Sequence, residues 1–151
     1  MSKSQLLNKL NISKELQPWA GHYLDWHEEH VGEIISAEQT LTHPTGYGGT
    51  TDLYCTLKQC GSRALVDYKT QGVKEGNKPA FYDSWCDQLV AYRACLPDPV
   101  GIQCVSVILN SNKPEPLVHK IWSDKEVERA EIIYKACLTI WQATKKYKPE
   151  S

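Results

Sequence analysis

The sequence lacks long hydrophobic runs, a strong excess of either charge, and any closely paired cysteines. Because no stretch of about 18 apolar residues occurs, no membrane span is predicted. The first residues lack the apolar core and cleavage site of a signal peptide. The net charge is −1 and the pI is near 6.5, so an anionic partner needs a local basic patch. Together these absences predict an intracellular, cytoplasmic protein that does not contact membranes.

The six cysteines are spread along the chain, and none belongs to a CxxC pair. They fall in apolar segments such as "QCVSVIL" and "KACLTIW". A disulfide framework is typical of short secreted chains, so we expect all six to be reduced core residues. They are Cys55, Cys60, Cys86, Cys95, Cys104 and Cys137.

Hydrophobic periodicity predicts one α+β (α/β) domain over residues 1–151, with helices flanking a central mixed sheet. Helices are predicted over 13–31 with Ser13 as N-cap, over 80–96, and over 123–147 with a capping box from Ser123 to Glu126. Strands are predicted over 32–42, 50–58, 63–71, 100–110 and 115–122. The strand over 100–110 is expected to be covered on both faces, and 115–122 to be an edge. The predicted order is α-βββ-α-ββ-α.

The strand "RALVDYKTQ" (63–71) carries two charges in an otherwise apolar pattern. Residues two apart share a strand face, so Asp67 and Lys69 point the same way and Tyr68 points the other way. A desolvated and unpaired carboxylate costs several kcal/mol, so Asp67 needs a partner. Two interpretations stay open: a surface ion pair, or a site for a divalent cation beside a lysine.

The neighbouring segments add acids to this strand. Glu38 lies in "SAEQT" and Asp52 ends "GGTTD", so Glu38, Asp52 and Asp67 fall on three consecutive strands. Three converging carboxylates repel each other unless a cation lies among them. On the next helix Gln88 and Tyr92 are four residues apart and share a face. Taken alone, that tyrosine would be assigned to the core.

In this order, Glu38, "GGTTD", "VDYKT" and "QLVAY" resemble the motifs of the PD-(D/E)XK nuclease superfamily. Within it the sequence is most similar to the RecB-like exonucleases, which include the RecB nuclease domain and the mitochondrial genome maintenance exonuclease. The resemblance covers about residues 20–96. It implies a restriction-endonuclease-like core and a hydrolase that uses Mg²⁺ or Mn²⁺ to cut DNA from its ends.

The resemblance also implies roles for individual residues. Asp52, Asp67 and the Tyr68 carbonyl would bind the metal, with Glu38 as a further ligand or a residue behind the ligands. Lys69 would position the attacking water or stabilise charge on the phosphate. The implied DNA contacts are Gln88, Tyr92 and Thr70. Many relatives carry a histidine before the first strand, for which "DWHEEHV" offers His27, slightly preferred, or His30.

Other DNA contacts are expected from the basic and aromatic residues near the motifs. The phosphate contacts would be Lys74, Lys78 and Arg93. Tyr47, Tyr68 or Trp85 would stack on bases if the substrate is a single strand, although for Trp85 a core position is the preferred interpretation.

Some relatives hold an iron–sulfur cluster through one early cysteine and a C-terminal group. Here no cysteine precedes Cys55, and Cys137 alone follows residue 104, so no cluster is expected. Two other classes stay open: a structure-specific or restriction-type endonuclease such as a junction resolvase, and a non-catalytic DNA-binding relative. DNA repair or recombination is the expected setting, and a phage gene product would act in the host cytoplasm. A homo-oligomer is left open.

Overall fold

Nine helices and strands make up the part of the chain that the computed structural model describes, residues 1–148. In chain order they are α1 Lys3–Lys9, α2 Gln17–His30, β1 Val31–Thr42, β2 Gly48–Leu57, β3 Arg63–Gln71, α3 Asp83–Arg93, β4 Gln103–Asn110, β5 Val118–Ile121 and α4 Asp124–Lys145. The chain thus forms a single-domain α+β fold, and every predicted strand is confirmed to within three residues at each end.

The five strands form one mixed sheet in the order β1-β2-β3-β4-β5. The first three strands are an antiparallel meander, whereas β3 and β4 are parallel and β5 is antiparallel to β4. A parallel pair needs a crossover connection, and here α3 supplies it. The predictions of a mixed sheet and of an edge strand near 115–122 are confirmed. The crossover places α3 directly after the charged strand.

The sheet has a separate apolar core on each face. On the face covered by α3 and α4, Leu65 packs among Leu89, Ile102 and Trp122. On the face near α2, Val66 packs among residues that include Trp26. Alternate residues of β3 therefore serve opposite cores, as the period of two predicts. β4 contributes to both cores, which confirms that it is covered on both sides.

The N-terminal region differs from its prediction. Helix α1 was not predicted, although Ser2 and Gln5 form a capping box at its start. Ser13 is not the N-cap of α2, because Leu16 occupies that position without a side-chain hydrogen bond. The Ser13 carbonyl instead accepts hydrogen bonds from the backbone of residues 16 and 17, which form a turn before the helix. The capping box between Ser123 and Glu126 is present at the start of α4, as predicted.

All six cysteines are free thiols, as predicted. Cys55, Cys86 and Cys104 are buried, and Cys95 is partly buried. The prediction of a core position is wrong for Cys60 and Cys137, which are exposed. Cys60 lies in the turn after β2, and Cys137 lies on the outer part of α4. No helix within residues 1–148 is long and apolar enough to cross a membrane.

Candidate active site at the fork between two strands

The candidate site lies where β2 and β3 separate. The two strands pair from Thr56–Arg63 to Leu53–Val66, and the ladder ends there. The next residues in register would be Asp52 and Asp67, so the two acids face each other across the opening. β3 continues beyond this point bound only to β4, as far as Gln71. The two motif aspartates therefore meet at a fork in the sheet.

Asp52 turns its side chain toward the unpaired edge of β3. Its Oδ2 accepts a hydrogen bond of 2.8 Å from the Tyr68 backbone N–H, which replaces a ladder bond lost at the fork. The N–H and C=O of a strand residue point to the same side. The Tyr68 carbonyl therefore also faces the fork, next to the two carboxylates. This is the backbone oxygen that the sequence resemblance assigns to a metal.

Asp67 and Lys69 form a largely buried ion pair. Lys69 Nζ lies 2.9 Å from Asp67 Oδ2, and the two side chains are 26% and 17% exposed. That oxygen has no hydrogen bond of acceptable geometry among the described residues. Burial raises the pKa of Asp67, and the nearby Asp52 carboxylate raises it further, whereas the Lys69 ammonium lowers it. Two carboxylates thus lie close together with one lysine paired to Asp67, which leaves a local excess of negative charge.

Lys69 connects the fork to α3. Its Nζ donates a 3.1 Å hydrogen bond to Gln88 Oε1, and Gln88 Nε2 donates a 3.0 Å bond to Tyr92 Oη. The Trp85 ring lies 5.8 Å from the ammonium, which adds a cation–π contact. Residues that sequence spacing placed on one helix face thereby form a single hydrogen-bonded chain that ends on the lysine.

Gly49 in "GGTTD" makes room for this chain. A Cβ at Gly49 would stand 2.6 Å from Tyr92 Oη and closer still to the ring. Any larger residue would have to displace the tyrosine, since such approaches do not occur in ordinary packing. The sequence did not identify Tyr92 as the partner of Gly49. The contact packs the "GGTTD" segment directly against Tyr92 of "QLVAY".

A second group of residues meets the fork from the α2 side. Tyr23, His27, Glu38, Asp52 and Tyr68 line a cavity of about 380 Å³. Tyr23 was not identified from the sequence, although its position four residues before His27 puts both on one face of α2. Asp52 therefore lies between this cavity and the Lys69 side of the site.

Glu38 has an unusual backbone. Ala37 pairs with Leu53 and Gln39 with Thr51, so Glu38 lies opposite Asp52. Its φ is +51°, in the left-handed region that a glutamate inside a strand rarely occupies. Such conformations cost about 1–3 kcal/mol and concentrate at functional sites. Within residues 1–148, no group of three or more His, Cys, Asp and Glu has the spacing of a preformed metal site.

The structure places the two candidate histidines differently. His27 lines the cavity with Asp52, and burial followed by the charge of Lys58 lowers its pKa, which favours the neutral ring. His30 lies in an aromatic cluster, with its ring centroid 4.6 Å from that of His119. His30 Nδ1 also lies 2.6 Å from Gln59 Nε2. His27 is therefore the histidine at the site.

Arg93 is not available to bind a phosphate, contrary to the prediction. Its guanidinium donates to the Glu131 carboxylate at 2.6 Å and to the Ile102 carbonyl at 3.1 Å. Its side chain is 15% exposed. The arginine joins α3 to α4, and no sequence pattern had indicated that Glu131 would lie beside it. By contrast, Thr70 and the loop residues Lys74 and Lys78 are exposed.

The aromatic candidates are mostly committed to packing. The Tyr68 ring packs edge-on against Tyr23 and Trp26, so its expected role in base stacking is wrong. Trp85 is partly buried and packs against the α3–α4 core, in agreement with the core alternative. Tyr47 is partly buried, stacks on His43, and lines a groove beside Gln88.

The sequence matches no protein-family model, and no curated protein matches it.

Proposed function

We propose that the protein is a divalent-metal-dependent deoxyribonuclease of the PD-(D/E)XK kind, which hydrolyses phosphodiester bonds at DNA ends. The observation that carries this proposal is the fork itself. There Asp52 and Asp67 face each other beside Lys69, whose ammonium contacts Gln88. A binding module has no need to bury two acids and a lysine at the end of a strand ladder.

The chemistry of the fork suits a hard cation. Asp67 Oδ2 is buried and contacts the Lys69 ammonium without a hydrogen bond of good geometry. Burial and Asp52 raise the pKa of Asp67, and Lys69 opposes them. A buried carboxylate oxygen whose hydrogen bonding is incomplete is costly, and a cation would remove that cost. Carboxylate and carbonyl oxygens are the ligands that Mg²⁺ and Mn²⁺ prefer, so Asp52, Asp67 and the Tyr68 carbonyl would hold the ion. When bound, the metal would lower the pKa of a water and neutralise charge on the phosphate.

Glu38 and His27 are proposed as outer participants of the same site. Both line the cavity that Asp52 closes, and neither forms an acid trio with the two aspartates. Since they share this cavity with Asp52, they are suited to orienting Asp52 or a water on the α2 side. The neutral form of His27, favoured by burial, can accept a proton or a hydrogen bond.

Lys69 is proposed to act on the phosphate and its attacking water. Gln88 fixes one donor direction of the ammonium, and Asp67 holds it from the other side. A lysine held in this way provides a positive charge that costs no reorganisation when negative charge develops on the phosphate. Tyr92 sets the orientation of the Gln88 amide, since its hydroxyl accepts from Nε2. Thr70, Lys74 and Lys78 are exposed on the strand end and loop that follow, where further phosphates would lie.

A direct assay of wild type, Asp67→Asn and Lys69→Ala tests the proposal. Each protein is incubated with Mg²⁺ or Mn²⁺ and with end-labelled linear single strands, linear duplex, or covalently closed circles. Wild type is expected to release labelled nucleotides from linear DNA and to leave circles intact. Both variants are expected to be inactive. Asp124→Asn and Lys9→Ala, made at exposed helix positions, are the matched controls and should cut as wild type does.

Two results would overturn parts of the proposal. Cleavage of closed circles would indicate an endonuclease on the same site. No cleavage of any substrate by a folded wild type, or full activity in Asp67→Asn, would remove the assignment as a nuclease. Metal binding is measured separately, by titrating Mn²⁺ into the protein without DNA and following electron paramagnetic resonance. The affinity for Mn²⁺ should be lower in Asp52→Asn than in wild type.

A further inference from the structure

A groove of about 530 Å³ opens beside the candidate site, between the β1–β2 turn, α3 and α4. Three aromatic side chains line it, namely Tyr47, Tyr134 and Trp141. Trp141 keeps 39% of its surface exposed although it is a large apolar residue. The remaining walls are mainly apolar or backbone. The groove is therefore a place where flat apolar groups can be taken out of water.

The groove begins at the proposed catalytic lysine. Gln88 lines the groove and also accepts the hydrogen bond from Lys69 Nζ. Gly48 lines it too, one residue before the glycine that packs against Tyr92. Only the Gln88 side chain separates Lys69 from the groove. A polymer with one unit at Lys69 can thus extend across Gln88 and place its next units in the groove.

The walls of the groove are held in place by hydrogen bonds. Tyr47 Oη donates to the Ala91 carbonyl at 2.8 Å, which ties the β1–β2 turn to α3. Gln142 Nε2 donates to the Thr45 carbonyl at 2.7 Å, which ties the same turn to α4. Because both sides of the turn are fastened, the aromatic surfaces are already in position. Binding there needs little ordering of the protein.

The charges around the groove favour a strand of nucleic acid over an apolar peptide. Lys145, Lys146 and Lys148 are exposed in the segment just after Trp141. Asp87 is the carboxylate among the lining residues, and it can accept a hydrogen bond from the exocyclic amino group of a base. A nucleic acid strand would place its bases in the groove, near Asp87, and its phosphates along the lysines. A peptide that filled an apolar groove would have no use for the lysines.

We propose that this groove binds unpaired nucleobases of the strand whose phosphate lies at Lys69. This inference rests on the proposed function and adds the form of the substrate. Bases in a duplex are already stacked and paired, so they cannot enter a side groove without the cost of opening the helix. The preferred substrate is therefore a single-stranded DNA end, whose bases stack on Tyr134 and Trp141.

Binding without cleavage tests the groove separately from the chemistry. Fluorescein-labelled oligonucleotides of about twelve nucleotides are titrated in excess EDTA and followed by anisotropy. The three ligands are a single strand, the same strand with abasic sugars in place of several bases, and a blunt duplex. The proteins are wild type, Trp141→Ala, Trp141→Phe and Ile132→Ala. Ile132 lies on the same helix, is 72% exposed and does not line the groove, so it is the matched control.

Trp141→Ala is expected to weaken single-strand binding roughly tenfold, in line with the loss of one stacked base. Abasic and duplex binding should change less than about twofold, and Trp141→Phe should restore most of the loss. Equal weakening of all three ligands, or no weakening of the single strand, overturns the inference. Melting curves of each variant exclude loss of the fold as the cause.

The two proposals fail in different ways. If the groove binds single strands as expected but no metal supports cleavage, the nuclease assignment falls and the nucleobase site stands. If wild type cleaves DNA and Trp141→Ala binds and cuts single strands normally, the groove assignment falls alone. If Trp141→Ala instead turns a dimer into a monomer in sedimentation, with DNA binding unchanged, the groove is an interface between copies and the inference is wrong.

Discussion

The two halves of β3 contrast sharply although they belong to one strand. From Arg63 to Val66 the strand is bonded to β2 and β4, and its apolar side chains fill the cores on both faces. From Asp67 onward it is bonded to β4 alone and carries the charged residues of the site. The first half supplies stability. The second half uses the edge that the fork leaves open to present groups that would weaken a continuous sheet.

The contrast teaches where a site can be placed at low cost. A buried carboxylate in the middle of a paired strand has no room for a ligand, whereas at a fork the open edge offers both space and backbone groups. Asp52 shows this directly, since it bonds the Tyr68 N–H that β2 no longer reaches. Five substitutions test the division, and they are taken from the largest expected effect to the smallest.

Asp67→Asn, in the second half of β3, is expected to have the largest effect on activity. We expect DNA cleavage to fall roughly a thousandfold or more, because a ligand and a partner of Lys69 are lost together. The melting temperature should stay unchanged or rise, because a buried carboxylate with a raised pKa is replaced by a neutral amide. Paired activity and melting assays check both expectations. A large loss of stability together with the activity would show that the second half of β3 is structural after all.

Gly49→Ala is expected to reduce cleavage by roughly ten- to a hundredfold. The added methyl group would collide with Tyr92, which orients Gln88 and through it Lys69. Overpacking of this kind also costs about 1–3 kcal/mol in the free energy of unfolding. Gly21→Ala is the matched control, since the nearest atom to its Cβ would be 3.6 Å away. Normal cleavage by a folded Gly49→Ala would show that the contact between Gly49 and Tyr92 is not needed for activity.

Val66→Ala should have the opposite profile to Asp67→Asn, although the two residues are adjacent. Val66 is 1% exposed, and we expect its truncation to lower the free energy of unfolding by about 2 kcal/mol. Cleavage measured well below the melting temperature should change less than about twofold, since the residue touches the core and not the site. Urea unfolding and initial rates measure the two quantities. A strong loss of cleavage rate in fully folded Val66→Ala would show that the first half of β3 also contributes to the site.

Glu38→Gly asks whether the strand opposite Asp52 stores strain. Glycine occupies the left-handed region without a steric penalty, so the free energy of unfolding should rise by up to about 1 kcal/mol. The same change at Glu33, an exposed residue of the same strand without positive φ, should lower it instead. If both variants are destabilised alike, no strain is held at Glu38. Cleavage should decline in Glu38→Gly, because a carboxylate is removed from the cavity beside Asp52.

The smallest effect concerns the core that supports the apolar half of β3. Trp26 packs in that core and donates its indole N–H to His119 Nδ1 at 3.1 Å, which only a neutral imidazole can accept. Burial, followed by the nearby His30, lowers the pKa of His119, and Glu29 opposes this. The stabilisation of the fold by neutral His119 is therefore complete above the ordinary histidine pKa of about 6.5. It is lost as the pH falls below that value and the ring becomes protonated. Melting temperature between pH 7.5 and 5.5 should fall less steeply in His119→Gln than in wild type; equal slopes would assign the pH dependence elsewhere.

Much of the fold could be predicted because its signals are local. The alternation of residues in "RALVDYKTQ" located β3 to the residue, and the Ser123 capping box located the start of α4. Helix α1 was missed because seven residues give too short a pattern, although its Ser2 and Gln5 capping box was present in the sequence. Ser13 was a poor guide because a hydroxyl residue caps a helix only where the backbone of the following turn allows it.

The site could be predicted where it depends on residue types at fixed spacing. It could not be predicted where tertiary packing determines which side chains meet. Spacing brought Lys69, Gln88 and Tyr92 together in the order expected. The spacing gave no warning that Arg93 would pair with Glu131, which lies 38 residues later in the chain.

The pair of hydrogen bonds between Gln71 and Ala80 has a consequence for engineering. The Gln71 amide donates to the Ala80 carbonyl and accepts from the Ala80 N–H, so the loop over 72–79 is closed at its base. Closing a longer loop costs only a little more entropy, which grows with the logarithm of its length. Extra residues inserted at Gly76 should therefore leave the strand and α3 undisturbed. A fluorescent tag or a longer basic arm placed there would change how the protein holds a strand without moving Lys69 or Asp67.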